Sequence, residues 1–242
     1  MGLAPLLDVG AEQPAVVQLV AHRFDVTTPA RVRYSLPVPS ASVHPRVVLL
    51  AGPSGSGKST LAARLGWPVL NLDDFYREGA DPLLPRDAAG RADWDDDNSW
   101  NAADALAAVV ELAATGEVSA PVYSFGEDRR TGCHRIELGD SPLFFAEGLF
   151  ADRLVAGCRD AGVLADALVL APSAAKTFVR RLVRDVAEHR KPVPLLLRRG
   201  LRLWREQPAV VRRCLNAGMR RTTPDRAAAE LVSFTAATAS AA

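Results

Sequence analysis

Residues 52–60 read Gly52-Pro53-Ser54-Gly55-Ser56-Gly57-Lys58-Ser59-Thr60, and their types and spacing suit one kind of chemistry. The run fills the pattern Gly-x-x-x-x-Gly-Lys-Ser, a loop that cradles phosphates. Its glycines let the backbone wrap closely around oxygen atoms, so that successive N–H groups point inward. A helix beginning near Ser59 adds the positive end of its dipole. Lys58 is then placed to reach the β- and γ-phosphates, and the Ser59 hydroxyl to ligate Mg²⁺. The loop speaks for nucleotide binding, not for a reaction, because GTPases, transport ATPases and small-molecule kinases share it. No Asn-Lys-x-Asp sequence occurs, which disfavours a GTPase.

A second group of residues could supply the reaction. The apolar run 69–72 ends at Asp73-Asp74. If the run is a parallel strand, these carboxylates lie at the sheet edge where α/β proteins bind ligands. A carboxylate there can face the γ-phosphate and take the proton of an incoming hydroxyl. In loose phosphoryl transfer its main work is to orient that hydroxyl. An Asp after a strand can equally cap the next helix. Charge along the chain is uneven: residues 71–104 are acidic and residues 176–226 are crowded with arginine. That division suits a metal and hydroxyl site facing an anion-binding lid.

The elements that must hold these groups alternate in type. Arg46-Val47-Val48-Leu49-Leu50-Ala51 is a continuous apolar run, as in a buried parallel strand, and it leads directly into the glycine-rich loop. Residues 59–65 read as helix, 69–72 as strand and the alanine-rich stretch 102–114 as helix. Residues 121–125, 143–147 and 167–171 read as three further short strands, 174–189 as helix and 195–221 as one or two basic helices. Strands alternating with helices predict a mostly parallel sheet flanked by helices, the P-loop NTPase fold. Before it, 16–24 and 30–36 alternate apolar and polar around Asp25-Val26-Thr27-Thr28-Pro29, which predicts a small β-hairpin. The division expected is therefore an N-terminal β extension with linker (1–45), a kinase domain (46–234) and a tail of small residues (235–242).

Taken together, these segments resemble the uridine kinase family, P-loop nucleoside kinases related to phosphoribulokinase. Six stretches occur in the family's order: 52–60; Leu72-Asp73-Asp74-Phe75-Tyr76-Arg77; Trp94-Asp95-Asp96-Asp97-Asn98-Ser99-Trp100; Pro121-Val122-Tyr123-Ser124-Phe125; Phe145-Ala146-Glu147-Gly148-Leu149; and Arg180-Arg181-Leu182-Val183-Arg184-Asp185. They span roughly residues 46 to 192. The resemblance implies Asp73 as general base, also touching the metal through water, and Glu147 as an Mg²⁺ partner. It implies Asp95 for ribose hydroxyls, Tyr123 and Arg130 in the acceptor pocket, and Arg181 and Arg184 closing over the triphosphate. The last two lie three apart, on one helix face.

Two acceptor positions depart from the family. Its Asp after the Tyr is Ser124 here, and its His beyond the Phe is Asp128, which when ionised only accepts hydrogen bonds. The activity expected is transfer of the γ-phosphate of ATP, with Mg²⁺, to the 5′-hydroxyl of uridine or cytidine. Another hydroxyl metabolite as acceptor, or a nucleotide-binding regulator without turnover, stays open. With 29 Lys+Arg against 28 Asp+Glu in 242 residues, no nucleic-acid partner is expected. No apolar run approaches a membrane span. Cys133, Cys158 and Cys214 fit neither zinc spacing nor a disulfide framework, so a reducing cytoplasm is expected. Self-association is left open. Trp67 and Phe75 are expected in the core rather than against a base.

Overall fold

A computed structural model describes residues 46–53, 55–172 and 207–239. The segments expected to form an N-terminal hairpin and a helix bearing Arg181 and Arg184, and Ser54, lie outside the described residues. Five strands form one parallel sheet: β1 Arg46–Ala51, β2 Val69–Asn71, β5 Leu143–Glu147, β6 Leu164–Leu170 and β7 Arg220–Thr222, in the order β2-β5-β1-β6-β7. The helices are α1 Lys58–Leu65, α2 Ala102–Thr115, α3 Val155–Asp160, residues 207–216 as α4, and α5 Pro224–Ala239. The sequence-based expectation of an α/β P-loop sheet is met.

The sheet is apolar on both sides because helices cover both. Along β1, Val47, Leu49 and Ala51 face one core, which includes Ala105, Val109 and Leu112 of α2 with Val155 and Cys158 of α3. Val48 and Leu50 face the other, where Leu61 of α1 meets Ala227, Ala228 and Leu231 of α5. Alternation of side chains across a pleated strand gives this division. Trp67 stacks on Phe145 with centroids 5.2 Å apart, and Phe75 is buried, so both belong to the core.

Three local expectations are corrected. The strand expected at 121–125 belongs to β3 Glu117–Ser124, which pairs antiparallel with β4 Arg129–Glu137 in a separate two-stranded sheet. The polar sequence of β4 hides it, because that strand is mostly exposed and lacks the alternation that marks a half-buried strand. The basic helix expected to reach residue 221 ends earlier, and Arg220–Thr222 instead joins the sheet beside β6. The tail expected from 235 is helical to Ala239.

Two adjacent aspartates after β2 have separate duties. A 3-10 turn, Leu72–Phe75, follows the strand and is capped by Asn71, whose side chain accepts from the Asp73 N–H at 3.2 Å. Asp74 turns inward and is buried. It accepts from Asn71 Nδ2 at 2.8 Å and from the Tyr123 N–H at 3.0 Å, which fastens the hairpin to the parallel sheet. Asp74→Ala leaves that amide without its partner and is expected to lower stability by about 1–3 kcal/mol. A denaturant titration checks this, and an unchanged midpoint would show that the hairpin is held by other means.

Candidate active site

The carboxyl ends of three neighbouring strands meet at one point. Glu147, the last residue of β5, stands in register with Asn71 of β2 on one side and Leu50 of β1 on the other. The glycine-rich loop leaves β1 one residue after Leu50, and Asp73 lies two residues after Asn71. Strand order and register thus bring together residues that are far apart in sequence.

The loop closes tightly over the end of β6. Gly52 has φ 144°, and a Cβ there would lie 2.5 Å from the Leu170 carbonyl oxygen and 2.9 Å from Ser56 Oγ. No other residue type fits that approach. Pro53 accepts from the Ser56 N–H at 3.0 Å, and Gly55 and Gly57 also have positive φ. Lys58 opens α1 and its Nζ donates to the Gly52 carbonyl at 3.0 Å, so the ammonium lies back across the loop. Ser56 Oγ is buried with no protein partner, as suits a donor aimed into a phosphate cradle. Thr60, next along α1, is exposed.

Ser59, Glu147 and Asp73 form the polar floor. Ser59 Oγ donates to Glu147 Oε1 at 3.1 Å, while Glu147 Oε2 is buried without a partner. A buried carboxylate oxygen with nothing to accept from is costly unless something binds it. Together with the Ser59 hydroxyl and nearby Asp73 it fits Mg²⁺, which takes few protein oxygens and keeps several waters. Among the described residues there is no cluster of three or more His, Cys, Asp or Glu suited to a metal, so a protein-rich metal cage is not what this site resembles. Burial holds the Glu147 carboxyl above the usual range; Lys58 and the Ser59 hydroxyl pull it back, and Asp73 adds to the rise.

Asp73 is placed by the loop after β5. Its Oδ1 accepts from the Leu149 N–H at 3.0 Å. Gly148 makes this approach feasible, since a Cβ there would lie 2.7 Å from Leu72 Cβ and 3.0 Å from Asp73 Oδ1. Burial raises the Asp73 carboxyl above its ordinary value, opposed by the Leu149 amide and by Lys58, and Asp74 adds a smaller push upward.

Beyond Asp73 lies an aromatic wall. Tyr76 contacts Trp94, Tyr123, Phe125 and Phe150 with ring centroids 5.6 to 6.0 Å apart. Burial pushes the Tyr76 hydroxyl well up, and the nearby charges of Asp73 and Asp95 push it further. Asp95 is exposed in the same turn as Trp94. Asp93 and Asp96 accept from backbone amides there, and Asp97 pairs with Arg153.

The other residues expected in an acceptor pocket lie along the hairpin. Tyr123 is buried and donates its hydroxyl to the Arg77 carbonyl at 2.9 Å. That hydroxyl is pushed up to about 12 by burial and by the charges of Asp128 and Glu78, against Arg130. Asp128 sits exposed at the hairpin turn with φ 50°, and its carbonyl accepts from the Gly79 N–H at 2.6 Å. Arg130 bonds Asp104 through Nη2 at 3.3 Å, while its Nε is buried without a partner. Gly148, the Leu149 amide and Arg213, described below, were not singled out in the sequence as site residues. Only the Glu-Gly pair at 147–148 carried a signal.

A glycine-rich loop with lysine at its helix, a serine-carboxylate pair and a carboxylate at the next strand end define a P-loop kinase centre. The model of the Phosphoribulokinase / Uridine kinase family matches residues 47–191, more than half of the chain, and the chain belongs to that family. The comparison with curated proteins gave no match. Among solved structures, a protein described as a fructose transport system kinase from Silicibacter sp. TM1040 is 18% identical, with TM-score 0.50 over 87% of this chain and 96% of that one. It shares the fold. One described as a possible uridine kinase from Bacillus stearothermophilus is 22% identical over 60% of this chain and 79% of its own, with TM-score 0.41. The D-glycerate 3-kinase of Cryptococcus neoformans var. grubii is 16% identical over 75% and 82%, also at 0.41.

Asp73 and Glu147 bind protons more tightly in the folded chain than unfolded. Their contribution to stability is therefore present in full in acid, below the ordinary carboxylate range, and is lost as pH rises through the raised folded-state values. Asp73→Asn is expected to raise Tm at neutral pH and to leave it nearly unchanged in acid. Thermal melts across this range check it. A lower Tm at neutral pH would mean that Lys58 and the Leu149 amide outweigh burial.

Proposed function

We propose that the chain transfers the γ-phosphate of ATP to a primary hydroxyl, and that the acceptor is a pyrimidine nucleoside, uridine or cytidine, phosphorylated at its 5′-hydroxyl. The observation that carries this reading is the position of Asp73, between the phosphate-side group of Lys58, Ser59 and Glu147 and the aromatic wall of Tyr76, Trp94, Tyr123 and Phe125. A hydroxyl bound at Asp73 would face the loop that holds the phosphates. Ser59 and Glu147 would hold Mg²⁺, which when bound would supply neutralisation of phosphate charge.

The protein groups divide the remaining work. The loop amides and Lys58 orient the phosphates, and Asp73 orients the acceptor hydroxyl and takes its proton. Positioning of this kind accounts for most of the acceleration in phosphoryl transfer. Asp95 faces the sugar hydroxyls, and Arg130 completes the acceptor side. The family resemblance assigns Arg181 and Arg184, which lie outside the described residues, to the triphosphate. Phe125 is 60% exposed while edge-on to Tyr123 at 5.1 Å, a wasteful place for an apolar ring unless a flat ligand covers it. This favours a ring-bearing acceptor over a small acid.

A second reading keeps the chemistry and changes the acceptor to another sugar-bearing metabolite. It is favoured by Ser124 and Asp128, where an exposed acid occupies the hairpin turn. ATP consumption with Mg²⁺ against uridine, cytidine, other hydroxyl metabolites and a no-acceptor control separates the readings. Turnover confined to the two nucleosides is expected. Turnover with another acceptor alone would replace the substrate, and ATP binding without turnover on any acceptor would contradict the kinase reading. Phe125→Ala is expected to raise KM for the nucleoside roughly tenfold, within the ~1–3 kcal/mol of one base–aromatic stack, with KM for ATP unchanged.

A further inference from the structure

On the far side of the loop that follows β5 lies a polar cluster outside the phosphate and acceptor groups. Helix α4 sends Arg213 into it. The guanidinium forks onto Asp152, Nε to Oδ2 at 2.9 Å and Nη2 to Oδ1 at 3.1 Å, and Nη2 also donates to the Leu149 carbonyl at 2.9 Å. Its Cζ lies 5.2 Å from the centroid of the Phe150 ring, and Nη1 is 3.7 Å from Asp97 Oδ1. Asp97 is paired with Arg153 as well. The Asp152 side chain is only 2% exposed, and Arg213 is its near cation, with Arg153 Nε farther off at 3.9 Å.

Leu149 is therefore held from both ends. Its N–H meets Asp73 and its carbonyl meets Arg213. Through Asp97 the same guanidinium reaches the acidic turn two residues beyond Asp95. Arginine alone suits this junction. Its planar fork can bind a carboxylate with two parallel bonds, donate to a carbonyl and lie against a ring, whereas lysine offers a point charge on a flexible stem.

We infer that Arg213 is a positioning residue for phosphoryl transfer: it fixes Leu149 so that the amide of that residue meets Asp73, and through Asp97 it anchors the turn that carries Asp95. The inference rests on the reading of Asp73 as the carboxylate that orients the acceptor. An ion pair that merely pins α4 to the core would predict the same geometry at Asp152, but no effect on Leu149.

Arg213→Lys tests it, because a cation remains against buried Asp152. Expected are a Tm close to that of the unaltered chain and an unchanged KM for ATP. With whichever acceptor the unaltered chain turns over, kcat should fall by roughly 10–100-fold, as when a group supporting a catalytic residue is lost. Hydrogen exchange at the Leu149 amide should quicken while exchange at Val48 and Leu49 of β1 stays slow. Unaltered kcat and unaltered Leu149 exchange would overturn the inference, as would a loss of activity that only follows the fraction unfolded. If Arg213→Lys fails to fold, the neutral pair Arg213→Met with Asp152→Asn is measured in the same way. The exchange measurement needs no acceptor. If the unaltered chain turns over none, the reading of Asp73 fails while exchange at Leu149 still decides whether Arg213 positions the loop.

Discussion

The hydrogen bond from the Leu149 amide to Asp73, 3.0 Å across the ends of β2 and β5, sets how the two halves of the candidate site meet. On one side of it lie Glu147 and Ser59; on the other lie Tyr76 and the acceptor wall. It exists because β5 is sandwiched between β2 and β1 with Glu147 level with Asn71 and Leu50. It also requires that residue 148 has no side chain. A methyl group at that position would push the Leu72 turn away from the loop, and overpacking of this kind costs about 1–3 kcal/mol. The parallel sheet thus determines the spacing between the Ser59–Glu147 pair and the aromatic wall, the spacing on which transfer would depend under the proposed function.

Electrostatics in the cleft are held in tension. Burial disfavours the ionised forms of Asp73 and Glu147, Asp73 pushes Glu147 further up, and Lys58 opposes both. A protein selecting for stability alone would not gather two carboxylates around an unpartnered oxygen. Such an arrangement is common where charge must be handled, and rare where only packing is at stake. Asp74 makes the contrast plain. It is one residue away and buried, but both its oxygens are satisfied by Asn71 and the Tyr123 amide, so it serves architecture.

Much of this was legible in the sequence because it is local. The glycine-rich loop, the strand leading into it and the carboxylates closing apolar runs announce themselves through composition and spacing. What was hidden depends on contacts between distant segments. Strand β4 carries Arg129, Arg130, Thr131, His134 and Arg135 on a largely exposed ribbon, so no apolar period marks it. Strand β7 is three residues within a basic stretch, and only its place beside β6 makes it a strand. Arg213 looked like one more arginine in a crowded region. Its distinction lies in Leu149, Asp152 and Asp97, which stand 61 or more residues earlier in the chain.

Under the proposed function, Glu147 and Ser59, brought together at the ends of β5 and α1, would hold the metal that accompanies a bound nucleotide. Calorimetric titration of ATP with and without Mg²⁺, on the unaltered chain and on Glu147→Gln, tests this most directly. Mg²⁺ is expected to tighten ATP binding to the unaltered chain, and Glu147→Gln to lose most of that gain, about tenfold or more as for other lost metal contacts. Both proteins are expected to bind ATP alone equally well. An equal gain from Mg²⁺ in both proteins would contradict it.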